Sequence, residues 1–566
     1  MKKYLITSAL PYINGVKHLG NLIGSMLPAD VSARFLRLKG HEVLYICATD
    51  EHGTPAEIAA LDAGLPVDEY CRQQHDVQEN LGRRFHLSYD HFGRSSSAQN
   101  KNITTHFFKK LDENGYIEEK TIAQVFCVDD DRFLPDRYIT GTCPHCGYES
   151  ARGDQCESCT RVLDPTDLIN PRSSISGSAN LEVRETRHLF LRQSQLEAQL
   201  REWLSAQSHW PSLTLSIARK WLDEGLKDRC ITRDLKWGVP VDKPGFEDKV
   251  FYVWFDAPME YIGSTWEWAD LKPGERDWRS WWFNAENTEY IQFMAKDNVP
   301  FHTIIWPSSL IGSGEPVTLP TYIKGFNWLT YYGGKFSTSQ HRGIFMSDAI
   351  ELLPADYWRY YLLSNAPESS DADFTWENFG ATVNKDLADV LGNFVNRIMK
   401  FAHSRFGGVI PEGGGFSSVE QELFENLGNL LRSYENALYE MSYRKAMQHL
   451  RAIWVLGNNY LASAAPWSAI KTDPERAACI TRTGLNLVRF FAVISQPVLV
   501  ETTAKICSAL SLKQEELSWP DSAAGLADEL QLLAPGHAFA VPDLLFRKLE
   551  DDELKKWEAQ FSGEQE

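Results

Sequence analysis

Two apolar runs open the chain, "YLIT" and "HEVLYICATDEHG", and the residues between them, about 19–39, place apolar positions at helical spacing. That order predicts a β-α-β unit with parallel strands. Helical patterns continue to about residue 115, where "TIAQVFCVDDDRFLPDRYITGTCPHC" breaks into short strand-like runs that lead into a cysteine-rich insertion. Over residues 181–202 amphipathic helical periodicity returns, and "KVFYVWFDAPMEYIG" and "YIQFMAKDNVPFHTIIWPSSL" then read as strand-like runs resuming the α/β core. Past residue 334 the chain reads as helical. From about residue 386 long apolar-periodic segments follow one another with few strand signals, as in a helix bundle. The last stretch, "FRKLEDDELKKWEAQFSGEQE", reads as a charged helix.

Length changes this picture only by requiring several domains, since 566 residues exceed the roughly 250–300 that one core holds. The most apolar run, "LVRFFAVISQPVLV", is interrupted by Arg489, Gln496 and Pro497 and falls short of the roughly 20 residues a membrane span needs. The opening "MKKYLITSALPY" has too short an apolar stretch for a signal peptide. A cytoplasmic protein with no membrane partner is the expectation. The formal charge of −19 argues against a protein that coats nucleic acid, because counterion release rewards clustered Lys and Arg. It leaves room for a selective binder with a local basic face.

Four of the ten cysteines lie in "CPHCGYESARGDQCESC", and the other six are scattered singly. The pairs Cys143–Cys146 and Cys156–Cys159 have metal spacing rather than that of a disulfide framework, and four thiolates suit one tetrahedral zinc. With no ligand position left for water, that zinc is expected to be structural. His145 lies inside a knuckle and is expected to point outward.

The chemistry concentrates after the first strand. "SALPYINGVKHLGNLIGS" is a strand end, a Pro/Asn/Gly-rich turn and a helix start, the arrangement that binds nucleotides in parallel α/β folds, yet the fingerprint G-x-G-x-x-G is missing. In order along the chain stand "ALPYINGVKHLGN", "ATDEHGTP", "VWFDAPMEYIG", "KDNVPFHTIIWP" and "GGKFSTS", arranged around the four-cysteine insertion. Together they resemble the methionyl-tRNA synthetases, which are class I aminoacyl-tRNA synthetases. The resemblance runs from about residue 3 to about residue 510.

It implies a Rossmann-like parallel-sheet catalytic domain with an inserted zinc-knuckle connective domain, followed by an all-α anticodon-binding bundle. The expected division is 1–115 and 231–325 for the catalytic halves and 116–230 for the insertion. A loop and stem-contact region would take 326–385, the anticodon domain 386–540 and a helical tail 541–566. The implied activity joins L-methionine to ATP as methionyl-adenylate, with magnesium on the leaving pyrophosphate, and then passes methionine to the 3′ adenosine of tRNA(Met).

"HLGN" looks like the family's first signature, so His18, Gly20 and Asn21 would meet the triphosphate at a helix N-terminus. Asp297 would contact the ribose. Ala9, Leu10, Tyr12, Trp254, Ala257, Pro258, Tyr261, Phe301, His302 and Trp306 would wall the methionine side chain, with Asp50 on its ammonium and Arg233 nearby. "GGKFSTSQHRGIF" resembles the family's mobile signature loop, with Lys335, Ser337 and Thr338 against ATP. It departs from that loop in having Thr338 where a second lysine usually stands and Gln340 where many relatives have arginine. Lys335 and Arg342 are therefore expected to share the stabilisation of pyrophosphate.

In "GNFVNR", Asn393 and Arg397 share a helix face, and Trp467 of "APW" matches an aromatic on which an anticodon base stacks. A related synthetase for leucine, isoleucine, valine or cysteine is the nearest alternative. The insertion, however, is too short for the editing domain that a one-methylene discrimination of about 1–3 kcal/mol demands. A catalytically silent tRNA- or protein-binding relative is the alternative from another class, motivated by the altered loop. No appended β-barrel is visible, and a monomer is expected.

Overall fold

The computed structural model describes residues 2–135, 138–153, 156, 159, 163, 167–285, 287–337, 340–521 and 525–563. Five parallel strands form its central sheet in the order Tyr322–Phe326, Thr288–Ala295, Lys3–Ser8, Glu42–Thr49, His91–Arg94. The opening run is the middle strand and is buried almost throughout, which is why it reads as continuously apolar rather than alternating. From it the chain adds strands first to one side and later to the other. Between Lys3–Ser8 and Thr288–Ala295 the strand order reverses, and there a crevice opens at the carboxyl ends.

The first crossover helix starts at Leu19–Asn21, passes through a π-helical stretch, Leu22–Met26, and continues as Leu27–Leu38. Pro28 accounts for the interruption: it has no N–H for the i→i−4 ladder, and the wider turn before it takes up the change, with Leu27 N–H reaching back to Leu22 C=O.

The structure departs from the sequence reading in several places. The segment expected to be helical over 181–202 is a strand, Leu181–Leu191, and a helix follows only at Glu197–Ser205. That strand pairs antiparallel with Ile117–Cys127 in an unbroken register from Ile117↔Leu191 to Cys127↔Leu181, so ladder pairing overrides the helix-forming Glu and Arg residues. "KVFYVWFDAPMEYIG" keeps only Val250–Phe251 extended; it is helical over Val253–Asp256 and again over Glu260–Asp270. Its aromatic residues favour strands locally, but here they pack one helical face on the sheet, burying Tyr261 and Ile262. "YIQFMAKDNVPFHTIIWPSSL" divides into the strand Thr288–Ala295 and the helical pieces Phe301–Ile305 and Trp306–Gly312. The edge strand His91–Arg94 lies in a region read as helical, and in the tail helix only Asp551–Phe561 is wound.

The helical half comprises Asn393–Phe406, Ser418–Tyr439, Tyr443–Ala464, Pro474–Ser495 and Val500–Ala509. Pro474–Ser495 is long and apolar enough to cross a membrane, and its apolar stretch is buried inside the bundle. One hydrophobic core runs from a face of the sheet through the helix Ala355–Ser364 into the bundle. At that junction Arg359, fully buried, donates to Asp30 Oδ2 at 2.7 Å and to the carbonyls of Phe85, Pro497 and Val498 at 2.8–2.9 Å.

Candidate active site

The crevice at the strand reversal holds a cavity of about 770 Å³. Five chain segments meet there: the turn after Lys3–Ser8, the end of Glu42–Thr49, the helical stretch from Val253 to Tyr261, the residues after Thr288–Ala295, and the loop after Tyr322–Phe326. Asp50 N–H donates to Pro11 C=O and Ile13 N–H to Asp50 C=O, both at 2.9 Å, so the Ala9–Ile13 backbone runs as an extension of the sheet beside Asp50. This pairing brings Ala9, Leu10 and Tyr12 to the same wall as the carboxylate.

Asp50 is 5% exposed, its Oδ1 has no hydrogen-bond partner, and burial, with Asp256 close by, pushes its carboxyl well above the usual range. A buried acceptor in that condition is matched by a cationic ligand group. Facing it are Trp254, Ala257, Pro258, Tyr261, Phe301 and His302. Trp254 donates its indole N–H to the Tyr12 hydroxyl at 3.1 Å and packs on Phe301 with ring centres 4.4 Å apart. His302 Nδ1 lies 2.9 Å from the Asn298 carbonyl, which can only accept; the Nδ1 proton is thereby set, and Nε2 accepts from Tyr261 O–H at 2.8 Å. Burial holds His302 down at about 4, so the ring stays neutral in that tautomer. The product is an apolar, aromatic-walled slot with one polar edge, suited to a thioether chain.

The other half of the cavity is built around His18. Its Nδ1 accepts from Asn21 N–H at 3.3 Å while Asn21 Oδ1 accepts from His18 N–H at 3.1 Å, a reciprocal cap on the helix start. With Nδ1 an acceptor, the ring proton sits on Nε2. Burial, reinforced by Lys17, lowers the imidazole to about 4, so it is a neutral donor. Gly20 makes room for that ring: a Cβ there would stand 2.9 Å from two of its atoms. Phe336 stacks flat on His18 at 4.4 Å, and Asp297, Trp328 and Lys335 line the rest. Trp328 points its N–H toward Asp297 Oδ1 at 3.5 Å, and the Lys335 ammonium lies 5.8 Å from its ring centre.

Comparison with known proteins decides the family. The sequence model for "tRNA synthetases class I (M)" matches residues 4–399, and that for "Anticodon binding domain of methionyl tRNA ligase" matches residues 410–566. The chain belongs to the methionyl class I tRNA synthetases. It is 57% identical to the methionine–tRNA ligase of Streptomyces avermitilis and 58% identical to that of Dinoroseobacter shibae, with all of each chain covered. Among solved structures it resembles Mycobacterium tuberculosis methionyl-tRNA synthetase in complex with methionyl-adenylate, with a TM-score of 0.77 and 26% identity over 96% of this chain and 100% of that one. As a methionyl-tRNA synthetase the chain is a ligase that joins methionine to tRNA.

Not every expected residue reaches the synthetase cavity. Trp306 is 1% exposed and packs behind Tyr261 and His302, supporting the wall without forming it. Arg233 lies outside the lining, stacked 3.7 Å over Tyr252 and donating to the Thr232 carbonyl at 2.9 Å. Ser337 pairs with Arg342 across a backbone bridge and also lies outside the lining, and Thr338 falls outside the described residues. Arg342 turns away: its guanidinium donates to the Tyr331 carbonyl at 2.9 Å and to the Ser562 carbonyl at 3.2 Å, binding the loop base to the C-terminal segment. That partner lies 220 residues downstream. No local signal announces it. Lys17, Asn298, Trp328 and Phe336 line the cavity and escaped the sequence reading, although Lys17 directly precedes His18.

Two further clusters form at a distance. The sulfurs of Cys143, Cys146, Cys156 and Cys159 all lie within 4.8 Å of one another, with closest pairs at 3.8 and 3.6 Å. A tetrahedral zinc with Zn–S of about 2.3 Å requires sulfurs about 3.8 Å apart, so the four fit one ion. On the bundle, Asn393 and Arg397 are exposed one turn apart on Asn393–Phe406, and the Arg397 guanidinium lies 4.6 Å over the half-buried Trp467 ring.

Proposed function

We propose that this cavity activates L-methionine with its ammonium on Asp50 and its thioether between Tyr12, Trp254, Phe301 and the Tyr261–His302 edge, with Ala9, Leu10, Ala257 and Pro258 completing the slot. The single observation that carries this is the unpartnered, buried Asp50 oxygen at one end of an otherwise apolar slot. The carboxylate of methionine then points toward the His18 end, where Nε2–H and the side-chain amide of Asn21 donate to phosphate oxygens. Asp297, steadied by Trp328, takes the ribose, and Lys335 meets the departing pyrophosphate. Magnesium arriving with ATP neutralises charge on that leaving group. No protein nucleophile is needed: the chain positions two substrates and stabilises developing charge. The acyl group then passes to the 3′ adenosine of tRNA(Met). ATP–pyrophosphate exchange with single amino acids tests the assignment. Methionine alone should support it, and equal exchange with leucine, isoleucine, valine or cysteine would refute the slot.

Asn393, Arg397 and Trp467 form the anticodon contact in this proposal, supported by the exposure of Asn393 and Arg397 and by the Arg397 cation over the half-buried indole face. Trp467→Ala is expected to lower tRNA charging by the equivalent of about 1–3 kcal/mol while pyrophosphate exchange keeps its parental rate. Equal loss in both assays would place Trp467 in the fold rather than in recognition. The four-cysteine cluster is assigned a structural zinc. Cys156→Ser should reduce retained zinc below one per chain and expose the insertion to limited proteolysis, and a full zinc complement measured in the variant would contradict the ligand set. Work as a monomer in the cytoplasm completes the proposal, supported by the burial of the apolar stretch of Pro474–Ser495 within its own bundle.

A further inference from the structure

We propose that Lys17 is a catalytic residue of adenylate formation. Its ammonium would hold the methionine carboxylate against the α-phosphate and take up negative charge as the new bond forms. The juxtaposition behind this is Lys17 in the lining of the one cavity that Asp50 and His18 also line. Its nitrogen donates to Asn14 Oδ1 at 3.3 Å and makes no ion pair among the described residues, which leaves further N–H donors for a ligand. Both neighbours feel its charge: Asp50 raises its affinity for a proton against burial, which brings the amine down to about 8, and Lys17 in turn helps to keep His18 neutral.

The position is held by backbone. Met346 N–H donates to Lys17 C=O at 2.8 Å, and His18 bridges to Phe345. Lys17 thus sits in the turn just before the His18 helix, with its carbonyl bonded to the segment that follows the signature loop.

An amino-acid zwitterion fits this geometry with opposite ends on opposite charges. With its ammonium on Asp50, its carboxylate falls toward Lys17. When a carboxylate oxygen attacks phosphorus, the bond from phosphorus to the bridging oxygen breaks, and its electron pair leaves with pyrophosphate. No proton is exchanged. Charge builds on the non-bridging oxygens beside His18, where a neutral imidazole supplies a hydrogen bond and no full charge; a fixed ammonium there adds what the imidazole lacks.

The inference rests on the assignments of Asp50 and His18 above. Quench-flow measurement of methionyl-adenylate formation by the full chain, at saturating methionine and magnesium-ATP, tests it. Lys17→Met is expected to slow the step about a hundredfold, with methionine affinity changed less than about threefold. Lys17→Arg, which keeps the charge, should recover at least about tenfold of that loss. An unchanged rate in Lys17→Met, or a loss confined to the methionine KM, overturns the inference. If Lys17→Met does not melt like the parent, Lys17→Gln is compared with Lys17→Arg in the same assay, and equal rates overturn it. Failure of the underlying assignment is distinguishable, because it would appear as unchanged exchange in Asp50→Asn whatever Lys17 does.

Discussion

Replacing Asp50 with asparagine is expected to lower methionine-dependent ATP–pyrophosphate exchange by about 10²–10³-fold, because removing one member of a buried charge pair costs about 2–5 kcal/mol. The fold should not suffer. Burial raises the Asp50 carboxyl in the folded chain, so its contribution to stability is fully present below the unfolded carboxyl value and is lost as pH rises through the raised folded value. At neutral pH the asparagine variant therefore melts at or above the parental temperature. Activity and stability move in opposite directions, as they do where a binding group is kept unpartnered for its ligand. Calorimetry alongside exchange checks both. Unchanged exchange would remove Asp50 from ammonium binding, and a lower melting temperature would make it structural.

Arg359→Met is the second large effect, and it falls on stability. The guanidinium joins the helix Leu27–Leu38, the Phe85 turn, its own helix Ala355–Ser364 and the Pro497–Val498 turn, with Asp30 also bonded to Arg34 at 2.9 Å and to Ser88 at 2.6 Å. Breaking one side leaves a buried carboxylate short of a partner and three carbonyls without donors, so a loss of about 3–5 kcal/mol is expected in urea unfolding. Burial would raise Asp30, but Arg34 and Arg359 overcome it and hold the carboxyl at about 2. Its stabilisation is therefore present above the ordinary carboxylate value and lost as pH falls from about 4 toward 2. In Arg359→Met the folded value rises toward the unfolded one, so this acid-linked loss should shrink. A variant with parental stability and an unchanged acid limb would show that the junction between sheet and bundle holds without the arginine.

Much of the site was legible because it is local. His18 and Asn21 are three residues apart on one helix start, so their reciprocal cap follows from the sequence itself. The two Cys-x-x-Cys pairs carry their own geometry in the same way. Asp50 and the aromatic residues after Thr288–Ala295 were reachable only through the order of the family's motifs; in the structure, parallel strands deliver their carboxyl-terminal residues to one end of the sheet.

The sequence by itself determined the β-α-β opening, the four-sulfur cluster, the helical second half and the residue types a methionine slot requires. Each depends on spacing within one element or on motif order. Only the tertiary structure decided that residues 181–191 are a strand, since that state depends on the ladder with Ile117–Cys127. It alone carried Arg233 and Arg342 away from the cavity, to an aromatic ring and to the C-terminal backbone. It also set Trp306 behind the wall and put Lys17 in the lining of the cavity that holds Asp50 and His18. The physical reason is common to all five. A long side chain or an ambiguous apolar run has several locally acceptable states, and the choice is made by partners that lie far away in sequence and adjacent only after folding.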